Sequence, residues 1–178
     1  ARPAAATPDS AKARLRVGKF KAPVGLERLQ SATALAFVER AYPSALLPNR
    51  DVGAQIFGDL EGGVVSYAVG VFNGAPDGGS VDIDLGDGKD VAGRVFFSPF
   101  KRGSSRFKDL GFGVAGSVGK QTGPLPSYRS GGQLTILSYL TGVTADGTRT
   151  RFTPQLSFYT GRFGLMAEYA QSDSFVKR

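Results

Sequence analysis

The clearest alternation of polar and apolar positions lies in residues 149–169, RTRFTPQLSFYTGRFGLMAEY. The odd positions read Arg149, Arg151, Thr153, Gln155, Ser157 and Tyr159, and the even ones Thr150, Phe152, Pro154, Leu156 and Phe158. Beyond Gly161, the residues Phe163, Leu165, Ala167 and Tyr169 share one face. Period-two alternation on both sides of a tight turn predicts two strands of about ten residues each. Strands in ordinary sheets run about 5–6 residues, whereas one that crosses a bilayer needs about 9–11. One wet, cationic face and one apolar face with aromatic ends describe a barrel wall around an aqueous lumen.

The same pattern recurs upstream. A first strand is predicted over 12–21, with Arg14 and Arg16 opposed to Leu15 and Val17. A second spans 51–60, with Val52, Ala54, Ile56 and Leu60 opposed to Gln55 and Asp59, and a third spans 64–72, with Val65, Tyr67, Val69 and Val71 on its apolar face. A fourth covers 89–98 and sets Val91, Val95 and Phe97 against Arg94. A fifth covers 109–120 and sets Leu110, Phe112, Val114 and Val118 against small residues. With the opening hairpin, that makes about seven wall strands. The links alternate in length, and long loops on one rim with short turns on the other are a barrel feature. Segment 22–50 shows helical spacing at Leu26, Leu29, Ala32, Leu35 and Ala36, closed off by Pro43 and Pro48. Its length argues against an idle connection. Segment 73–88 reads as a polar, solvated Gly/Asp loop, and 121–147 as a second long excursion that contains the strand-like QLTILSYL.

Composition narrows the chemistry. The chain of 178 residues is one domain by length and has no Cys, His or Trp. Thiol nucleophiles, His-based triads and Cys/His metal sites are therefore excluded, and no cofactor is expected. The net charge of +7 suggests an anionic partner. The cations are scattered, without basic–aromatic interleaving, so nucleic acid is not the expected one. No apolar run is long enough for a transmembrane helix. The first residues, ARPAAATPDSAKA, lack the apolar stretch of a signal peptide and read as a loop.

Two motifs have plain readings. Gly111-Phe-Gly113-Val-Ala-Gly116 matches GxGxxG, but no helix follows, so these are small strand residues. Asp82, Asp84, Asp87 and Asp90 lack calcium-loop spacing, so no metal site is expected. Arginine carries more weight, because its fixed fork of donors matches oxyanions and arginines lining a narrow pore select them. Arg14, Arg16, Arg94, Arg149 and Arg151 fall on polar strand faces, while Lys21, Arg28, Arg40 and Arg50 lie in or beside segment 22–50. No carboxylate pair suggests an enzyme. The same alternation would also describe a soluble lipocalin-like carrier with its apolar face turned inward.

The run RVGKFKAPVGLERLQSATALAFVERAYPSALLPNRDVGAQIFGDL resembles the phosphate-selective porin O/P family. YAVGVFNGAPDGG, GKDVAGRVFFSPF, LGFGVAGSVG and VTADGTRTRFTPQLSFYTGRFGLMAEY extend the resemblance over most of the chain. It implies a sixteen-stranded antiparallel outer-membrane barrel, usually a homotrimer seated in lipid and lipopolysaccharide, that passes phosphate, polyphosphate or other small anions. It also implies that 22–50 is a constriction loop carrying Arg28, Arg40 and Arg50, and that 121–147 bends inward. The chain is about half the length such a barrel needs, and seven strands cannot close one. An internal piece is therefore expected, with further strands before Ala1 and after Arg178.

Overall fold

The computed structural model describes residues 12–82, 88–130 and 134–178. Residues 1–11 and the loop aspartates Asp84 and Asp87 lie outside them. The described chain is all-β apart from short helical turns. β1 spans Arg14–Phe20, β2 Asp51–Leu60, β3 Val65–Phe72, β4 Asp90–Phe97 and β5 Gly111–Pro124. The short β6 (Tyr128–Arg129) and β7 (Thr135–Leu137) precede β8 (Thr144–Thr160), β9 (Phe163–Glu168) and β10 (Gln171–Lys177). One antiparallel eight-stranded sheet runs β1-β2-β3-β4-β5-β8-β10, with β9 also paired to β8. Among the described residues it is open, with one edge at β1 and the other along β9 and β10.

β9 and β10 follow each other along the same edge of β8. Gln155 pairs with Glu168 and Phe152 with Gln171, so the register is unbroken. Between them Tyr169 donates its N–H to the Pro154 carbonyl at 3.2 Å. Pro154 has no N–H to return the bond, and the ladder lapses for two residues. The wall thus has the seven lanes the alternation predicts, and its last strand runs on to Lys177 rather than stopping at Tyr169. QLTILSYL stays out of the wall: β6 and β7 pair only with each other. β5 and β8 are longer than predicted, which shortens the second excursion from 121–147 to 125–143.

Paired residues share a face, so the register assigns every side chain. One face carries Val17, Ile56, Val69, Val95, Val114 and Phe152, each between 44% and 71% exposed. Toward the short-turn rim it ends in phenylalanines. Phe97 and Phe112 meet edge-on at 5.5 Å, and Phe107 lies over Phe158 at 5.8 Å. The turn there is tight because Gly161 adopts φ +56°.

The opposite face is polar, and two segments fold over it. Segment 22–50 packs Ala22, Val24 and Leu47 against Phe20, Phe72 and Ala92 of the wall, forming the core cluster. The helix predicted there shrinks to α1 (Leu26–Leu29) followed by 3-10 turns at Ala32–Ala34 and Tyr42–Leu46. Gly25 supplies no side-chain cap, and the Ser31 hydroxyl caps a separate turn instead. Arg40 and Lys21 then take the carbonyls of Glu27 and Gln30 that a longer helix would use. The second covering segment, 73–81, corrects the sequence reading. It is not a solvated loop: Gly74, Ala75, Asp77 and Val81 are buried. It zips onto the first segment through Gly78 N–H to Leu47 O (2.9 Å), Asn49 N–H to Gly79 O (2.8 Å) and Val81 N–H to Arg50 O (3.0 Å).

Candidate functional site

The polar face divides into two charge environments. Around β8 the charges are matched. Arg151 is fully buried; its Nε donates to Asp77 Oδ1 at 2.8 Å and its Nη1 to Asp90 Oδ2 at 2.9 Å, and Nη2 lies 2.7 Å from Asp77 Oδ1. Nη2 also donates to the Ala75 carbonyl at 2.8 Å. Arg149 donates to the same Asp90 Oδ2 at 3.0 Å and to the carbonyls of Gly74 and Ala75. Asp51 completes the clasp, accepting the N–H groups of Gly74 (2.9 Å) and Ala75 (2.7 Å) on Oδ2. Asp77 also accepts from Tyr128 Oη at 3.0 Å and Ser172 Oγ at 2.7 Å. Two guanidiniums thus face the carboxylates of Asp77 and Asp90, and the buried Asp51 adds a third carboxylate held by backbone N–H groups, so no positive charge is left over. Both arginines lie on the polar face, as the alternation predicts, but their donors tie down segment 73–81.

Around β1 and β4 the polar-face arginines are less fully matched. Arg16 is exposed and stacks on Phe57 at 4.6 Å and Phe20 at 5.3 Å. No carboxylate lies within ion-pairing distance of it among the described residues. Arg14 lies over Phe57 at 5.2 Å and reaches Asp59 only at 3.6 Å, with its side chain 47% exposed. Arg94 donates through Nε to Gln155 Oε1 at 2.9 Å and stacks on Phe96 at 4.6 Å. It too has no ion-pair partner among the described residues.

The cations of segment 22–50 are of mixed kind. Arg28 is buried, with Nη2 donating to the carbonyls of Ser44 and Leu47. Burial lowers its pKa, and the nearby Arg40 lowers it further. Lys21 is held below the ordinary lysine value by desolvation first, then by Arg40, Arg50 and Arg28. Mutual repulsion of this kind means that Lys21, Arg28, Arg40 and Arg50 form one basic cluster. Within it Arg50 is exposed, and Arg40 and Lys21 are half-buried. A cavity of about 870 Å³ opens between this segment and the β8–β9 hairpin, lined by Glu27, Phe37, Asp109, Arg162, Met166 and Glu168 among others.

The family model of phosphate-selective porins O and P matches residues 4–174. The chain belongs to that porin family. Porins form channels and are not an enzyme family, and the open all-β sheet is consistent with part of a porin barrel. No curated protein and no solved structure matches the chain. No helix of the described porin chain is long and apolar enough to cross a membrane, which says nothing of its strands.

Sequence reasoning missed the buried aspartates of this porin wall. Arg149 and Arg151, two apart on one face, next to an Asp-bearing loop, were the available signal. That reasoning also passed over Phe57 and Phe96, phenylalanines at polar-face positions, on which Arg14, Arg16 and Arg94 stack.

Proposed function

We propose that this chain forms wall and narrow zone of an outer-membrane diffusion channel for small anions of the phosphate type. The observation that carries the reading is the division of faces. The bare face is apolar and ends in aromatics, as a lipid-facing wall requires, while the covered face presents the exposed Arg16 and the half-buried Arg94 without carboxylate partners among the described residues. Segment 22–50 is the constriction, and 125–143 is a long loop on the same rim. Hydrated anions pass along Arg14, Arg16, Arg94 and the Lys21–Arg40–Arg50 cluster, where fixed positive charge lowers their barrier. Arg149, Arg151 and Arg28 hold that architecture in place. The assembled channel is a homotrimer embedded in outer-membrane lipid and lipopolysaccharide.

A soluble carrier with the same alternation would cover its apolar face and wet its arginines; here the polar face is the covered one. The test is the reversal potential of the assembled channel in a planar bilayer across a KCl gradient. An anion-selective sign is expected, and a cation-selective sign refutes the proposal. Stable, monodisperse behaviour without detergent would refute the membrane placement.

A further inference from the structure

We propose that the polar face between β1 and β4 is a subsite for organic anions that carry a flat apolar group, such as aryl sulfonates and aryl carboxylates. The proposal deepens the anion-channel reading and rests on it. Its starting point is an oddity: phenylalanines at positions of a face that is otherwise polar. An inorganic oxyanion gains nothing from them, because the face of an aromatic ring is electronegative. Phe20 has a structural reason to be there, meeting Phe72 edge-on at 5.5 Å in the core. Phe57 and Phe96 lie outside that core.

Register places the remaining groups. Arg14 pairs with Phe57, Phe57 with Ala68 and Ala68 with Arg94, which makes one row across four strands. Strands lie about 4.8 Å apart, so Phe57 and Arg94 face each other across Ala68 at about 10 Å. Phe96 lies one step along β4 from this row, and its ring is pressed flat against the wall. A Cβ on Gly111 or Gly113 would run into that ring, so only glycine leaves the space. Arg94 stacks over Phe96, and Arg14 and Arg16 stack over Phe57. Each pair combines a fixed apolar ring with a guanidinium held by its face; Arg16 keeps its whole N–H edge free among the described residues, Arg94 gives Nε to Gln155 and keeps its Nη groups, and Arg14 is shared with Asp59 at 3.6 Å. The small side chain between the pairs leaves a shallow floor. An anion with one flat apolar end and one oxyanion end meets both kinds of surface together, whereas phosphate meets only the cation.

The experiment compares benzenesulfonate with methanesulfonate, the same oxyanion with and without a ring. Each is added to the assembled channel in a planar bilayer, and the block of chloride current is titrated. Benzenesulfonate is expected to block at about fivefold lower concentration, the scale of one aromatic contact. Phe57→Leu and Phe96→Leu keep apolar bulk but remove the ring; at least one should close most of that gap while the KCl reversal potential keeps its anion-selective sign. Equal potency of the two sulfonates on the unaltered channel overturns the proposal. So does a gap that both leucine variants leave intact. A cation-selective reversal potential in KCl alone overturns the underlying channel reading instead, and it is recorded before any sulfonate is added.

Discussion

Removing the Arg151 guanidinium should release segment 73–81 from the polar face while leaving the wall folded. In Arg151→Met the side-chain bulk stays and the donors go. The buried carboxylates of Asp77 and Asp90, 2% and 5% exposed, lose their shared partner. Arg149 bonds Asp90 and not Asp77, so among the described residues Asp77 keeps the hydroxyls of Tyr128 and Ser172 alone. Breaking a buried ion pair from one side costs about 3–5 kcal/mol. A segment that can swing out will do so rather than hold a bare carboxylate in a dry site.

At about 1.4 kcal/mol per factor of ten, that cost is two to three and a half orders of magnitude in the opening equilibrium. Hydrogen exchange read by mass spectrometry on the detergent-solubilised channel measures it directly. The reporters are the amides of Gly74 and Ala75, bonded to Asp51, and of Gly78, bonded to Leu47 O. Their exchange should accelerate about a hundredfold or more, while the β4–β5 ladder stays protected. Adding Asp77→Asn to Arg151→Met removes the stranded charge and should recover part of the protection. It should also return anion selectivity to near the unaltered value, because the double change is charge-neutral. Unchanged exchange at 74–78 in Arg151→Met would refute the clasp.

Other perturbations separate transport from architecture. Arg16→Gln removes an exposed guanidinium that has no carboxylate partner among the described residues; a single charge at contact distance in water changes local anion occupancy by about fivefold. The reversal potential should shift toward cations, strongly in dilute salt and weakly near 1 M, where charges are screened within about 3 Å. The lowered pKa of Lys21 puts its loss of charge below the ordinary lysine value of 10.5. Anion preference should accordingly fall as pH rises toward that value, and Lys21→Met should flatten this step. Gly25 sits at φ +90°, and a Cβ there would fall 2.5 Å from Leu47 Cδ1; Gly25→Ala should lift segment 22–50 and raise single-channel conductance.

The face of each wall residue was legible from alternation alone, because a strand sends successive side chains to opposite sides. Val69, Val95 and Phe152 were set against Arg94 and Arg151 correctly, and β2 was bounded to the residue. The fate of the loops was not legible. Segment 73–88 has the composition of a solvated turn, yet Asp77 and the Ala75 carbonyl are buried because Arg151 and Arg149, more than seventy positions away, have donors that need acceptors in the same dry space. Period two tells which side a charge faces; it does not tell what folds over that side.

That gap changes which arginines can act on a passing ion. Five strand arginines looked equivalent in the sequence, since each occupies a polar-face position. In the fold, the two on β8 are answered by Asp77 and Asp90 and crossed by backbone carbonyls, so an anion approaching them meets no surplus positive charge. Arg16 and Arg94 rest on aromatic rings, which hold a guanidinium without neutralising it, and Arg14 divides itself between Phe57 and a long ion pair to Asp59. A ring and a carboxylate both fix the position of an arginine, but only the ring leaves its charge available. The same variant should therefore do different things at the two places. Loss of Arg16 should alter selectivity with the segments still docked, and loss of Arg151 should undock a segment first. If Arg16→Gln accelerated exchange at residues 74–78 as Arg151→Met does, the division of labour between the two groups would be wrong.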